Sequence, residues 1–522
     1  MTSAPETQLR EIEALAARRQ YDAAARQAMK LTASFPQSHQ AWLALGRIRQ
    51  RRGDIEGGRS AVATGLSLIP TDKSLRLLSI ELALQAGQIE TGLRDLRTLE
   101  RDAASDGRLM QQVAQFYTSL NLHADAERSH RRALESGPEN PESLYNFATS
   151  AIAVGKLDEA ESALDKVITL RPDDYDAYYN RATLRKQTAQ RNHVAELERL
   201  SSQPLRTAMG EVQLCYALAK ELEDLGEHRR SFAALKRGAD TRRRLLSYRV
   251  EDDIRAMEAI AATFNAAFFS RGIPGADGAK PIFVLGLPRS GSTLVDRILS
   301  SHSEVGSLGE INDLAAALMR AVRGTKDKYE LIKAAAEADF ASIGKNYVQT
   351  TRAVSTGVAR AIDKTPVNFL YIGVIARALP DATIIHVRRG PMDVCYAMYK
   401  TLFRMAYPFS YDLTDIARYY LAYEKLMTHW MTLLPGRVVE VRYEELVCNP
   451  EHAVRKLVAA CGLDWQDACL APERNDKPSL TASAAQVRRK IYTSSVGLWR
   501  AYEAELRPLA EALRAGGVDP TS

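Results

Sequence analysis

Gly286-Leu-Pro-Arg-Ser-Gly291-Ser292-Thr293 has the spacing of a phosphate-cradling loop, with serine standing where such loops carry lysine. Its glycines permit a tight turn whose backbone N–H groups converge on an anion, and the positive end of a following helix adds to the field. In a loop built for a nucleoside triphosphate, the lysine reaches the β- and γ-phosphates. Here the cation is Arg289, inside the turn, where a shorter group attached to a 5′-phosphate would lie. The chemistry indicated is that of an activated nucleotide other than ATP. Farther on, Arg388-Arg389-Gly390-Pro391-Met392-Asp393 is basic where a P-loop ATPase places the acid that holds Mg²⁺, which suits a second fixed negative charge. The one metal-site candidate is Asp363, whose apolar lead Arg360 interrupts, so no metal is expected.

These groups need a scaffold. The apolar run Ile282 to Leu285 predicts a buried strand ahead of the loop, and Thr293 to Ser300 an amphipathic helix behind it. Further strands are predicted at Ala382 to Val387 and Arg437 to Arg442, separated by helical stretches. Continuous apolar strands alternating with helices indicate a parallel, doubly wound α/β sheet, with ligands at the strands' carboxyl ends.

In front of this domain the chain repeats itself. Pro36, Pro70, Pro138 and Pro172 are 34, twice 34 and 34 residues apart, and Gly53, Gly87, Asn121 and Gly155 share the period of 34. Gly46, Ala114, Ala148 and Ala182 keep the same frame, with Ile80 in the remaining slot. One unit reads as a helix from Glu142 to Val154, a turn at Gly155-Lys156 and a helix from Leu157 to Leu170. This resembles tetratricopeptide repeats, two helices per unit stacked into a solenoid with a concave groove. The expected organisation is a repeat array with a capping unit over residues 1–240, connecting helices and a linker over 241–279, and the α/β domain over 280–522. The groove, with Tyr145, Asn146, Tyr178, Tyr179 and Asn180 as candidate lining, either binds a peptide or partner protein, or the array only packs against the second domain or dimerises the protein.

Composition sets outer bounds. Hydrophobic residues at 46% and charged ones at 26% suit a soluble globular protein, and the net charge of +6 is spread along the chain, so no nucleic-acid partner is called for. No apolar run is long enough to span a bilayer, and Met1 to Leu15 lacks the pattern of a signal peptide. The five cysteines have no metal-ligand spacing, and a cytoplasmic location is expected. An oligomer remains open.

Residues 281 to 522 resemble a sulfotransferase domain of the kind that uses 3′-phosphoadenosine 5′-phosphosulfate (PAPS), and with the repeats the whole chain resembles bacterial tetratricopeptide-repeat sulfotransferases. Pro288-Arg289-Ser290-Gly291-Ser292-Thr293 is similar to the family's 5′-phosphosulfate loop and Arg389-Gly390-Pro391 to its 3′-phosphate motif. Tyr443-Glu444 is similar to its strand-end pair. Ser483 with Gln486-Val487, followed by Ser495-Val496-Gly497 and Trp499, is similar to its last nucleotide-contacting segment. The resemblance implies that Arg289 and Lys364 stabilise a transferring sulfuryl group, that Glu310 is the general base, and that Arg389, Tyr443 and Ser483 hold the nucleotide. His302 is the competing base, also readable as a turn residue, and His386 reads as a core histidine. Two positions depart from the pattern, Ala397 and Leu498, and Arg488 and Lys490 are candidates to compensate. The implied activity is sulfuryl transfer to an acceptor hydroxyl, with a protein tyrosine, carbohydrate, lipid or small phenol all open. The alternative is a catalytically silent domain on an interaction scaffold.

Overall fold

The computed structural model describes residues 4–102, 105–137, 139–272, 274–276, 278–322, 324–355, 357–475, 477 and 490–522. Helical hairpins occupy the N-terminal half: Ala4–Ala17 with Tyr21–Ser34, His39–Arg51 with Ile55–Leu68, Lys73–Gln85 with Ile89–Asp102, Gly107–Ser119 with His123–Glu135, and Pro141–Val154 with Leu157–Leu170. The period has a conformational cause. Each hairpin turns through a left-handed residue, with φ 80° at Gly53, 77° at Gly87, 57° at Asn121 and 86° at Gly155. The second conserved slot is packed: Ile80, Ala114, Ala148 and Ala182 are buried. A Cβ added at Gly46 would stand 2.8 Å from Val62 Cγ2, so the helices approach closely there.

After the short helices Tyr175–Thr183 and Val194–Ser201, the hairpin Ala208–Asp224 with His228–Arg244 ends the array. Its Tyr216, Phe232 and Leu235 share one apolar core with Tyr399, Tyr411 and Tyr502 of the C-terminal domain. The Tyr216 hydroxyl donates to the Tyr399 carbonyl at 3.1 Å, and Arg243 Nε to Asp415 at 2.9 Å. The array therefore packs against the second domain. The segment that reads as a loose linker is stitched down as well: the Ala276 N–H donates to Ala378 O at 2.9 Å and the Gly278 N–H to Asp381 at 2.7 Å.

The C-terminal domain holds a five-stranded sheet, β1 (Ile282–Leu285), β2 (Val305–Ser307), β3 (Arg360–Asp363), β4 (Thr383–Arg388) and β5 (Val438–Arg442), in the order β2-β3-β1-β4-β5 with every pair parallel. Both faces are covered, which is why β1 reads as an unbroken apolar run. Phe283 and Leu285 face one core with Tyr347, Phe369 and Trp430; Ile282 and Val284 face another with Val295, Ile298 and Leu457. The predicted strands on β1, β4 and β5 are present within a residue at each end. Strands β2 and β3 are additions. They are three and four residues long and carry Gly306, Ser307, Arg360 and Asp363, too short and too polar for an apolar pattern. Arg360 is tolerated at the sheet's end because its guanidinium donates to Lys280 O and Thr383 Oγ1, both at 2.8 Å. Among the described residues no helix is long and apolar enough to cross a membrane.

Candidate active site

The loop after β1 is shaped by three left-handed residues, Gly286 (φ 144°), Arg289 (φ 68°) and Gly291 (φ 105°). A Cβ at Gly286 would meet Val387 O at 2.5 Å, and one at Gly291 would meet the Tyr443 ring at 2.4 Å, so neither position admits a side chain without movement. Gly291, which has no side chain, gives no cap to the helix Ser292–Ser300 that it opens. Such a helix start is an anion site in waiting. Burial, and after it the neighbouring charge of Arg389, push Arg289 below the ordinary arginine range. Two guanidinium groups held close in a partly dry cleft repel each other, and an anion between them relieves this.

Arg389 follows β4 and ties three segments together. Its Nη1 donates to Arg289 O at 3.1 Å and its Nη2 to Ser495 O at 2.6 Å, while the guanidinium lies 4.7 Å from the centre of the Tyr443 ring. The Tyr443 hydroxyl bonds Ser495 Oγ at 2.7 Å. Asp393 accepts from the Gly497 N–H at 2.7 Å, and Glu444 from the Gly390 N–H at 2.9 Å. Arg389 Nε is buried with no partner among the described residues. An orphaned buried donor costs about 1–3 kcal/mol, which an anionic ligand would recover. The residues present therefore fit a nucleotide with separated negative charges. Arg289, Gly291, Ser292, Thr293, Arg389, Tyr443 and Lys490 line one cleft. Pro288 and Ser290 are buried in the loop behind it. Ser483 and Arg488 lie outside the described residues.

Tyr396, Lys400 and Tyr492 line the cleft and escape the sequence reading, while Ser495, read there as part of the last nucleotide-contacting segment, is a direct hydrogen-bond partner of Arg389. The helix Pro391–Tyr399 reads as core, and only its spacing from Arg389, with Tyr396 and Lys400 about one turn apart, could have placed them. Both departures, Ala397 and Leu498, fall in the same cleft. Glu223, from the last helical hairpin, pairs with Lys400 and accepts from the hydroxyls of Tyr396 at 2.7 Å and Tyr502 at 3.0 Å. The array thus reaches the floor of the cleft.

Glu310 and Lys364 form a second group, at the carboxyl ends of β2 and β3. Lys364 is 1% exposed and its Nζ pairs with Glu310 Oε1, whose side chain is 44% exposed. The backbone around them is fixed: Leu308 N–H donates to Ile362 O at 2.9 Å, Lys364 N–H to Gly309 O at 2.9 Å, and Ile311 N–H to Thr365 Oγ1 at 3.1 Å. Burial raises Asp296 above the usual carboxylate range, with Lys364 pulling the other way. Asp363 is also buried and is pushed up to about 7, against the hydrogen bonds of Thr365, Tyr347 and Asn368. With Thr365 at 2.7 Å and Asn368 at 3.1 Å it is a structural acceptor. Among the described residues no three acids, histidines or cysteines gather as a metal site.

The competing histidines are occupied. His302 Nε2 donates to Asp464 O at 2.9 Å and its Nδ1 accepts from the Glu304 N–H at 3.2 Å, so it has no lone pair for a substrate. His386 is buried in β4 against the Tyr423 hydroxyl, and burial holds it down at about 3.

Comparisons with known proteins match the two parts of the chain separately. The sulfotransferase family matches residues 281–467, and tetratricopeptide repeats match 9–71 and 145–185. An Aquifex aeolicus protein of uncharacterised role is 28% identical over 451 residues, 84% of this chain, which spans 58% of that relative's length. A Caenorhabditis briggsae protein that bears the name protein-tyrosine sulfotransferase is 24% identical over 230 residues, 42% of this chain and 80% of the relative. Among solved structures, the sulfotransferase domain of the Synechococcus PCC 7002 olefin synthase has 21% identity and a TM-score of 0.32, covering 47% of this chain and 98% of its own.

Proposed function

From a chain that carries a sulfotransferase-family domain behind tetratricopeptide repeats, we propose sulfuryl transfer from PAPS to an acceptor hydroxyl. PAPS supplies a sulfuryl group already joined to a phosphate leaving group. Loop N–H groups with Ser290, Ser292 and Thr293 hold the 5′ end. Arg389, Tyr443 and Lys490 hold the 3′-phosphate side, with Ser483 and Arg488 assigned there from the sequence. Glu310 takes the acceptor's proton, the acceptor oxygen forms the new bond to sulfur, and the departing phosphate keeps the electrons of the bond that breaks. Arg289 and Lys364 neutralise charge on the oxygens of the transferring group, so side chains do what a metal does in phosphoryl transfer. The observation that supports this best is the adjacency of Arg289 and Arg389, whose Nη1 donates to Arg289 O at 3.1 Å and whose buried Nε has no partner among the described residues.

The acceptor we favour is a tyrosine of a peptide or protein, supported by a carboxylate base and by the repeats. The five cysteines are unpaired, in keeping with a reducing cytoplasm. A silent scaffold is the competing reading, favoured by Ala397 and Leu498 in the cleft. The test is transfer of labelled sulfate from PAPS into a cell lysate by the full chain and by Glu310→Ala. Label in protein that Glu310→Ala abolishes supports the proposal. Failure to bind either PAPS or 3′,5′-adenosine bisphosphate would sink it, and transfer unaffected by Glu310→Ala would point to another base.

A further inference from the structure

Five hairpin turns share the 34-residue frame: three carry glycine, the first carries the exposed Arg19 and the fourth carries Asn121. All five are left-handed, a conformation glycine adopts without strain and other residues tolerate less readily. A Cβ at Gly53 or Gly87 would meet nothing within 4 Å. At Asn121 the side chain reaches the other domain: Nδ2 donates to the carbonyls of Leu308 at 3.2 Å and Glu310 at 3.4 Å. The asparagine amide has two N–H donors, so both carbonyls can be served at once.

We propose that Asn121 is a positioning residue supplied by the repeat array, holding the backbone of the Leu308–Glu310 loop so that the Glu310 carboxylate meets Lys364 and the acceptor. The inference rests on the reading of Glu310 as base. The rest of the loop is anchored from within its own domain, through Ile362, Lys364 and Thr365. Asn121 anchors its outer side from a residue 189 positions away. The array thereby completes the active site as well as binding partners, and a ligand that shifts the fourth hairpin would shift the base.

The variant Asn121→Gly tests this cleanly, because it installs the residue that three of the other four turns use and keeps the left-handed backbone. Three measurements on the full chain are compared with wild type: the thermal midpoint, hydrogen exchange of the amides of residues 308–311, and labelled-sulfate transfer from PAPS into lysate. The expected result is an unchanged or higher midpoint, faster exchange confined to that loop, and transfer reduced by about tenfold, as a displaced catalytic group gives. Affinity for 3′,5′-adenosine bisphosphate stays within about twofold, since Asn121 is outside the cleft lining. Unchanged exchange overturns the proposal, and so does unchanged transfer where Glu310→Ala is inactive. Should Glu310→Ala transfer normally, the base reading falls instead, and the exchange measurement alone decides whether Asn121 holds the loop.

Discussion

Lys364 Nζ meets Glu310 Oε1 across adjacent strand ends, a nearly fully buried ammonium against a half-exposed carboxylate. The two residues are 54 positions apart and belong to different crossovers, and β2 and β3 bring them together through a three-residue register, Val305 with Arg360 to Ser307 with Ile362. The pair places a proton acceptor beside a cation at the mouth of the sheet. A sulfuryl transfer needs both at that point.

Removing the carboxylate separates catalysis from nucleotide binding. Glu310→Gln is expected to lower transfer by about 10²–10⁴-fold, the usual worth of a general base, with binding of 3′,5′-adenosine bisphosphate unchanged by calorimetry. Both replacements remove the carboxylate charge beside Lys364, but the Gln amide oxygen can still accept from its Nζ, so a lower melting stability of about 1–3 kcal/mol is expected chiefly for Glu310→Ala.

In the proposed reaction Arg389 reads the second phosphate. Arg389→Ala is expected to weaken 3′,5′-adenosine bisphosphate by about 10–100-fold, the worth of charge-assisted bonds. Adenosine 5′-phosphosulfate, which lacks the 3′-phosphate, should be affected far less. Equal losses for both ligands in a titration would show that Arg389 acts only by tying the loop to Ser495.

Gly291→Ala combines a left-handed backbone with a collision against the Tyr443 ring, 2.4 Å from the new Cβ. Strain of this kind costs about 1–3 kcal/mol. We expect a lower melting temperature and lost nucleotide binding. The double variant Gly291→Ala with Tyr443→Ala should recover part of the stability and none of the binding, because Tyr443 belongs to the cleft.

Acid should loosen the fold through three buried histidines. Burial holds His123 and His130 down at about 4 and His386 at about 3, so all three stay neutral in the folded chain well below their ordinary value of 6.5. The unfolded chain takes up protons below about 6.5 and the folded one does not, so stability is full above that pH and falls as pH drops toward 4. Each such histidine contributes on the order of 1.4 kcal/mol per pH unit through that window. Asp363, raised to about 7, works in the opposite direction, since its folded form keeps a proton that the unfolded form has lost. Asp296, Asp174, Asp393 and Asp415 are raised by burial in the same sense, so the histidine contribution is isolated by comparison: between pH 6.5 and pH 4.5 the melting temperature of His130→Asn should fall less steeply than that of the wild type. Equal slopes would contradict the burial of that ring.

Much of the site is legible in local sequence, because its parts are set by neighbours. A loop that needs left-handed residues shows its glycines, and a strand buried on both faces shows an apolar run. A stacked hairpin shows small residues and a turn every 34 positions. Arg289, Arg389 and Tyr443 follow from such signals, since each sits at a strand end next to a readable turn. The turn at Asn121 is readable too, while the reason for asparagine is not, because its partners Leu308 and Glu310 belong to another domain. Strands β2 and β3 leave no pattern, β3 being held by pairing with β1 and by the bonds of Arg360, and β2 by pairing with β3. Tyr396, Lys400 and Glu223 read as core and surface residues until the last hairpin of the array closes on the helix Pro391–Tyr399. Turn chemistry and periodicity act over a few residues and are written there. The meeting of base, cation and repeat array depends on which surfaces bury each other, and only the packed chain decides that.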